Sequence, residues 1–383
     1  MTIELPKKII PKAAYVHVPF CAHRCGYCNF TLIAGRDDLI ERYLAALQRE
    51  LSLLNEPRPV ETLFIGGGTP THLPPAALAR LLATVRRWFL LAENGEFSIE
   101  ANPSGLDAER VDILAEHGVT RMSLGAQSFD ARKLTALERD HAPADIARGV
   151  ELGRRRLASV SLDLIFGAPG ETLAVWQRDL ASALRLTPEH VSTYGLTYER
   201  GTTFWNRLSH GRLARLDEEL ERSMYAEAID ALGAAGFEHY EVSNFAGPGH
   251  RCRHNEVYWA AEEYYAVGPG AARYLGGRRE TNHRSTTTWL KRVLAGESAV
   301  AESETLSAED KAREALVLAL RRMEGVDRRE FTARTGFEID VLVGRELSRF
   351  VELGLLCDEV GRVRLTREGL FVSDAIWPAF LRR

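Results

Sequence analysis

Three of the five cysteines of this 383-residue chain, Cys21, Cys25 and Cys28, fall within eight residues, in the stretch YVHVPFCAHRCGYCNF (15–30). Five thiols are too few for a disulfide framework in so long a chain, so the C-x3-C-x2-C spacing points to ligation or catalysis. A closed zinc site wants four ligands, and the nearby His17 and His23 are each candidates for the fourth. A redox pair with a spare thiol is a second option. The third is a [4Fe-4S] cluster: three thiolates leave one iron open to the amino nitrogen and carboxylate oxygen of a bound amino acid. Composition does not choose among them.

Other polar and glycine residues sit where a site would be built. GGGTP (66–70), Glu100 with the Ala-Asn-Pro that follows it, Gly125-Ala-Gln127 and Asp163 each end or interrupt a short β-rich run. Gly66, Gly67 and Gly68 lack side chains, so backbone groups there can approach a ligand closely, although a plain strand-to-helix turn has the same composition.

The elements that must position these residues are strands at 15–18, 62–65, 97–100, 121–124, 160–166 and 190–196, with a further run at 239–242. Between them lie helical periodicities. Ile40, Leu44, Leu47, Leu51 and Leu54 form one apolar stripe, and 76–91, 107–117, 144–155, 171–186 and 216–235 read the same way. Repeated strand and crossover helix imply an α/β fold with a parallel sheet, as an open doubly wound sheet or a full or partial barrel. In either form ligands sit at the carboxyl ends of the strands, where the polar residues would converge.

Residues 244–290, rich in Gly, Tyr, Arg and His, read as a loop-rich segment or lid closing a first domain over 1–290. A second domain over 300–383 is expected from helices at 307–322, 327–335 and 338–353 and a hairpin at 355–366, a winged-helix-like α+β arrangement. Cys357, in an apolar run, reads as a buried hydrophobe. A formal charge of -4 gives no push toward nucleic acid. Neither a secretory signal nor a transmembrane run is legible, so a cytoplasmic location is expected.

The cysteine triplet after the first strand, with Tyr27 just before its last member, resembles the signature of the radical S-adenosylmethionine superfamily. That resemblance implies a partial (β/α)6 TIM-like barrel, a [4Fe-4S] cluster on Cys21, Cys25 and Cys28, and an electron passed to the sulfonium of bound S-adenosylmethionine. It also implies that the GGGTP glycines, with Gly67, Gly68 and Thr69, bind the methionyl amino group, and that Glu100 accepts hydrogen bonds from the ribose. Tyr15, Tyr27, Gln127, Arg139 and Asp163 complete the cofactor set.

The longer stretches FIGGGTPT, IEANPSGL, SLGAQSFD, DLIFGAPGET and YEVSNFAGPGH are similar to the oxygen-independent coproporphyrinogen III oxidase-like family over essentially the whole chain. Decarboxylating members carry one more cysteine in a C-x2-C-x-C run and a long N-terminal extension. Here Phe30 stands at that cysteine's place and twenty residues precede Cys21. The resemblance is therefore to the haem chaperone (HemW) subgroup, whose HNxxYW text is present from His254 to Trp259.

That subgroup implies haem as bound cargo, with His254 as iron ligand, Tyr258 and Trp259 packing on the porphyrin, and Cys252 as a candidate accessory ligand. It also implies acceptor haem proteins as partners, membrane respiratory enzymes among them, and hence a position peripheral at the inner face of the membrane. Asn29 replaces the usual Asp, and Glu138 stands where the family usually has Gly. The competing functions are coproporphyrinogen III decarboxylation, radical degradation of haem, and a zinc-stabilised non-catalytic binding module.

Overall fold

A computed structural model describes residues 10–381. Six parallel strands run in chain order across the centre of one sheet: β1 (Ala13–Val18), β2 (Arg58–Gly67), β3 (Phe89–Ala101), β4 (Arg121–Gln127), β5 (Ser159–Phe166) and β6 (His190–Gly195). Helices α1 (Ile40–Ser52), α2 (Pro75–Trp88), α3 (Ala108–Glu116), α4 (Ala131–Ala136), α5 (Pro143–Arg156) and α6 (Leu173–Arg185) fill the crossovers. Strands β1 and β5 are buried almost end to end, as a parallel sheet covered on its faces requires. Ile65 of β2 pairs in register with Val16 of β1 and Ile99 of β3, and all three are fully buried.

The sheet grows by antiparallel strands at both ends. Beyond β6 lie helices α7 (Thr203–Ser209) and α8 (Glu218–Ala234), then the antiparallel pair β7 (Glu238–Glu241) and β8 (Asn244–Ala246), with Phe245 opposite Val191. The run at 239–242 is therefore the end of a hairpin and not a seventh parallel unit. On the other side β9 (Tyr264–Val267) joins β1 in parallel. It is followed by the antiparallel β10 (Ala272–Leu275), β11 (Arg278–Asn282) and β12 (Val300–Thr305), which complete a 12-stranded sheet.

Two sequence expectations change here. Segment 244–290 is ordered secondary structure, containing β8 to β11, α9 (Arg253–Trp259) and the start of α10 (Thr286–Ala295), and not a loop-rich lid. Residues 300–305, assigned from sequence to the second domain, form the last strand of the large sheet. A buried carboxylate that no local pattern announces anchors the first of these segments. Glu50 of α1 accepts from the Gly268 N–H at 3.0 Å, Asn282 Nδ2 at 2.7 Å and Trp289 Nε1 at 3.0 Å, tying the extension to the barrel.

The C-terminal part has α11 (Ala308–Leu320), β13 (Val326–Asp327), α12 (Arg328–Thr335), α13 (Ile339–Glu352), the hairpin β14 (Leu356–Glu359) and β15 (Arg362–Leu365), then α14 (Arg367–Phe371) and α15 (Ser373–Phe380). β15 lies between β13 and β14. Its apolar residues continue the core of the large sheet without a break. Ion pairs Arg222–Glu368 and Arg367–Asp230 join α14 to α8. Cys357 is only half-buried on its strand, against the expectation of a buried thiol. No helix among the described residues is long and apolar enough to cross a membrane.

Candidate cofactor site and family

The carboxyl ends of β2 to β6 and the cysteine loop after β1 enclose a cavity of about 410 Å3. Cys21, Cys25 and Cys28 face it together with Tyr27, Gly67, Gly68, Thr69, Glu100, Gln127, Arg139 and Asp163, so the fold gathers these residues from six chain segments into one space. Of the cofactor residues expected from sequence, only Tyr15 is not on its wall. The Tyr15 hydroxyl bonds His17 Nδ1 at 3.0 Å, and its ring stacks on Phe64.

Each thiol has its own setting. Cys21 Sγ lies 3.0 Å from Thr69 Oγ1, and Arg139 Nη1 donates to Cys25 Sγ at 3.4 Å. Burial pushes the Cys21 and Cys28 thiols up, which a bound metal would reverse by displacing the proton. No three His, Cys, Asp or Glu side chains among the described residues converge tightly enough for a single metal ion. A cluster does not ask that of them, because each thiolate takes a different iron. The donor set therefore fits a [4Fe-4S] cluster better than zinc.

A small apolar core covers the cysteine loop. Leu137, Ile165, Leu196, Tyr198 and Phe204 pack together with Tyr27 against them, and the Phe204 N–H donates to the Gly26 carbonyl at 2.8 Å. A Cβ on Gly26 would run into the Phe204 ring, so glycine here lets α7 close on the loop. Glu138 adopts φ +57°, a left-handed conformation that explains why glycine suits this position. Here its carboxylate is held by Arg207 of α7 at 2.7 Å.

The glycines of GGGTP answer to packing as well as to a ligand. A Cβ on Gly66 would stand 2.9 Å from the Glu100 carboxylate, one on Gly67 2.6 Å from the His17 ring, and one on Gly68 2.5 Å from the Phe20 carbonyl oxygen. Substitution of Gly67 would thus strike His17 before it reached the cavity, and its φ of +119° excludes most side chains.

Glu100 and Asp163 are the cavity's carboxylates. Glu100 Oε2 accepts the Gly67 N–H at 2.9 Å, and burial, with Asp163 nearby, pushes its pKa up to about 8. Asp163 is also raised by burial, while Ser123 Oγ donates to it at 3.0 Å. Gln127 sits at φ +62° beyond an irregularity in the β4–β5 register, a strained placement of the kind found at ligand sites. Arg139 Nη2 bonds Asn102 Oδ1 at 2.6 Å and the Gly125 carbonyl at 3.0 Å. Asn102, within the Ala-Asn-Pro that follows Glu100, also lines the cavity, as do Ser123 and Tyr194, which were not singled out from sequence. For Tyr194 the available signal was its place at the end of β6, whereas Ser123 lies within β4 and carried none.

The HNxxYW segment lies elsewhere, on α9. Buried Glu96 accepts the Arg253 and His254 backbone N–H groups at 3.0 and 3.1 Å and so caps this helix. His254 is buried, with Nδ1 against Thr62 Oγ1 at 3.0 Å and Nε2 against the Tyr258 hydroxyl at 2.8 Å. Burial lowers its pKa to about 3. Both ring nitrogens expected to be available for iron thus have hydroxyl partners in this conformation. Cys252 is buried beside Glu96, its thiol pushed up to about 12 by burial, and not presented as a ligand. His254→Ala should destabilise the fold by about 2–3 kcal/mol by orphaning two buried hydroxyls. An unchanged urea midpoint would refute that latch role.

The family follows from the comparisons. The Radical SAM superfamily model matches residues 15–181, and the HemN C-terminal domain model matches 306–372. The chain is 35% identical over 375 residues to Heme chaperone HemW of Bacillus subtilis, covering 97% of this chain and 99% of that protein. It is 38% identical to Heme chaperone HemW of Mycobacterium tuberculosis, covering 96% and 94%. This chain belongs to the HemW family of radical SAM proteins. The chain is also 34% identical to Radical S-adenosyl methionine domain-containing protein 1, mitochondrial, of Bos taurus, covering 97% and 87%. Among solved structures, coproporphyrinogen III oxidase (HemN) from Escherichia coli superposes with a TM-score of 0.85 at 22% identity, covering 97% and 90%, which establishes the shared fold.

Proposed function

We propose that this HemW-family chain is a haem chaperone: it binds haem and delivers it to acceptor haem proteins, in dependence on a [4Fe-4S] cluster and S-adenosylmethionine. The observation that carries the reading is the chain-long likeness to proteins named as haem chaperones. Cys21, Cys25 and Cys28 would hold the cluster. Gly67, Gly68 and Thr69 would face the methionyl end of the cofactor, and Glu100, Gln127, Arg139 and Asp163 would surround the remainder; Tyr27 would wall the cysteine side, and Tyr15 would act from behind through His17. When bound, the pair supplies one-electron chemistry; the protein's part is to bind, orient and keep water out. Tyr258 and Trp259 would contact haem, whereas His254 could reach iron only if its bond to Tyr258 opened. Acceptors in membrane respiratory enzymes would bring the chain to the inner face of the membrane.

Phe30, exposed at the cavity mouth, stands where decarboxylating relatives carry a cysteine, which favours transfer over porphyrin decarboxylation. The test is anaerobic cluster reconstitution, loading with haem, and mixing with the apo form of a b-type haem protein. The expected result is haem in the acceptor with its spectrum intact. Anaerobic conversion of coproporphyrinogen III to protoporphyrinogen would replace this reading with the oxidase, and reductant-dependent loss of haem absorbance would replace it with haem degradation.

A further inference from the structure

A second cavity, of about 360 Å3, opens between α9, the antiparallel strands β10 and β11, and α11 of the C-terminal part. Its walls are aromatic: Tyr258, Trp259, Tyr264 and Tyr274, with Leu318. Tyr258 and Tyr264 meet edge to face at 4.8 Å. The Tyr258 hydroxyl is committed to His254, so its ring is what the cavity receives. Arg321 stacks its guanidinium 4.4 Å from the Trp259 ring centre, which fixes the indole.

The polar groups of this cavity divide into satisfied and unsatisfied ones. Arg279 is committed to Glu304 at 2.8 Å and to Glu314 at 2.5 Å. Lys311, half-buried on α11, has no carboxylate or other side-chain partner among the described residues. Its ammonium lies over the Gly276-Gly277 turn, where a Cβ on Gly277 would collide with it. Trp259 Nε1 is a second donor without an acceptor, and a buried one. Glu262 is the exposed carboxylate at the rim.

An aromatic slot with an unpaired ammonium and an unpaired indole N–H suits a flat aromatic ligand that carries carboxylates on its edge. We propose that this cavity is the haem seat, and that Lys311 receives a haem propionate. The inference rests on the haem-chaperone reading, which already gives Tyr258 and Trp259 to the porphyrin, and adds to it an anchoring residue. It also gives the C-terminal part a role, since α11 supplies the anchor. The volume is near the low end of the roughly 300–1,000 Å3 of enclosing pockets. The macrocycle would therefore be gripped along one edge and left partly in solvent, as cargo to be handed on requires.

The experiment compares the full-length wild type with Lys311→Met after cluster reconstitution, titrating each with haem and with haem dimethyl ester and following the Soret band. Iron content and thermal midpoint serve as folding checks, and Trp259→Phe, which removes only the second donor, is the companion variant. Loss of a charge-assisted hydrogen bond predicts that Lys311→Met binds haem roughly ten- to a hundred-fold more weakly. The dimethyl ester, lacking propionate charge, should bind the wild type and Lys311→Met alike. If the wild type binds haem and Lys311→Met binds it equally well, the anchor is refuted while the chaperone reading stands. If the wild type takes up no haem, both are refuted.

Discussion

Replacing any one of Cys21, Cys25 or Cys28 with alanine is expected to abolish stable cluster assembly. The three thiols line one cavity, Cys21 beside Thr69 and Cys25 beside Arg139, and loss of one leaves two protein anchors for a cluster that already has an open iron. Iron per chain and charge-transfer absorbance after anaerobic reconstitution are the readouts. Cys252→Ala and Cys357→Ala should keep full iron, since neither thiol is among the residues lining the cavity. A single alanine variant of the triplet that retained full iron would overturn the ligand set. A zinc site would be recognised by zinc in place of iron in protein purified anaerobically, before reconstitution.

The barrel was legible because its signals are local. β1 and β5 are buried almost end to end and read as apolar runs, and α1, α2 and α6 carry clear apolar stripes, so the strand-end rule applied to the sequence places Glu100, Gln127 and Asp163 around one site. The antiparallel extension was not legible for the opposite reason. β11 and β12, RRETN and VAESET, are largely half-exposed or exposed and lack apolar alternation; they are strands because neighbouring strands pair with them. Helix α9 is seven residues long, and Glu96, more than 150 residues earlier, caps it. The HNxxYW text likewise could not reveal that Thr62 and Tyr258 occupy both nitrogens of His254, because Thr62 lies 192 residues away. Nor could GGGTP reveal that its middle glycine is pressed against His17, a contact made across the β1–β2 pairing.

Glu100→Gln should stabilise the cofactor-free protein at alkaline pH while weakening its hold on S-adenosylmethionine. Burial, reinforced by Asp163, raises the Glu100 pKa in the folded chain to about 8, against 4.5 for an unperturbed glutamate. Between those values the folded chain keeps a proton that the unfolded chain releases. The folded state thus binds more protons, stability falls as pH rises through that window, and the loss levels off above about pH 8. At 1.36 kcal/mol per pKa unit, the full cost is on the order of 5 kcal/mol. Asp163, also raised by burial, adds a contribution of the same sign in both proteins. Glutamine can still accept the Gly67 N–H but cannot ionise, so the thermal midpoint of Glu100→Gln should fall less between pH 5 and pH 8 than that of the wild type. The cofactor carries positive charge on its sulfonium and ammonium groups, and its binding should draw the proton from Glu100. Wild-type affinity should therefore rise with pH toward about 8, whereas the variant should bind weakly with little dependence on pH through Glu100. Parallel pH profiles of stability in the two proteins, together with equal affinities, would mean that Glu100 is neither desolvated in the folded state nor in contact with the cofactor.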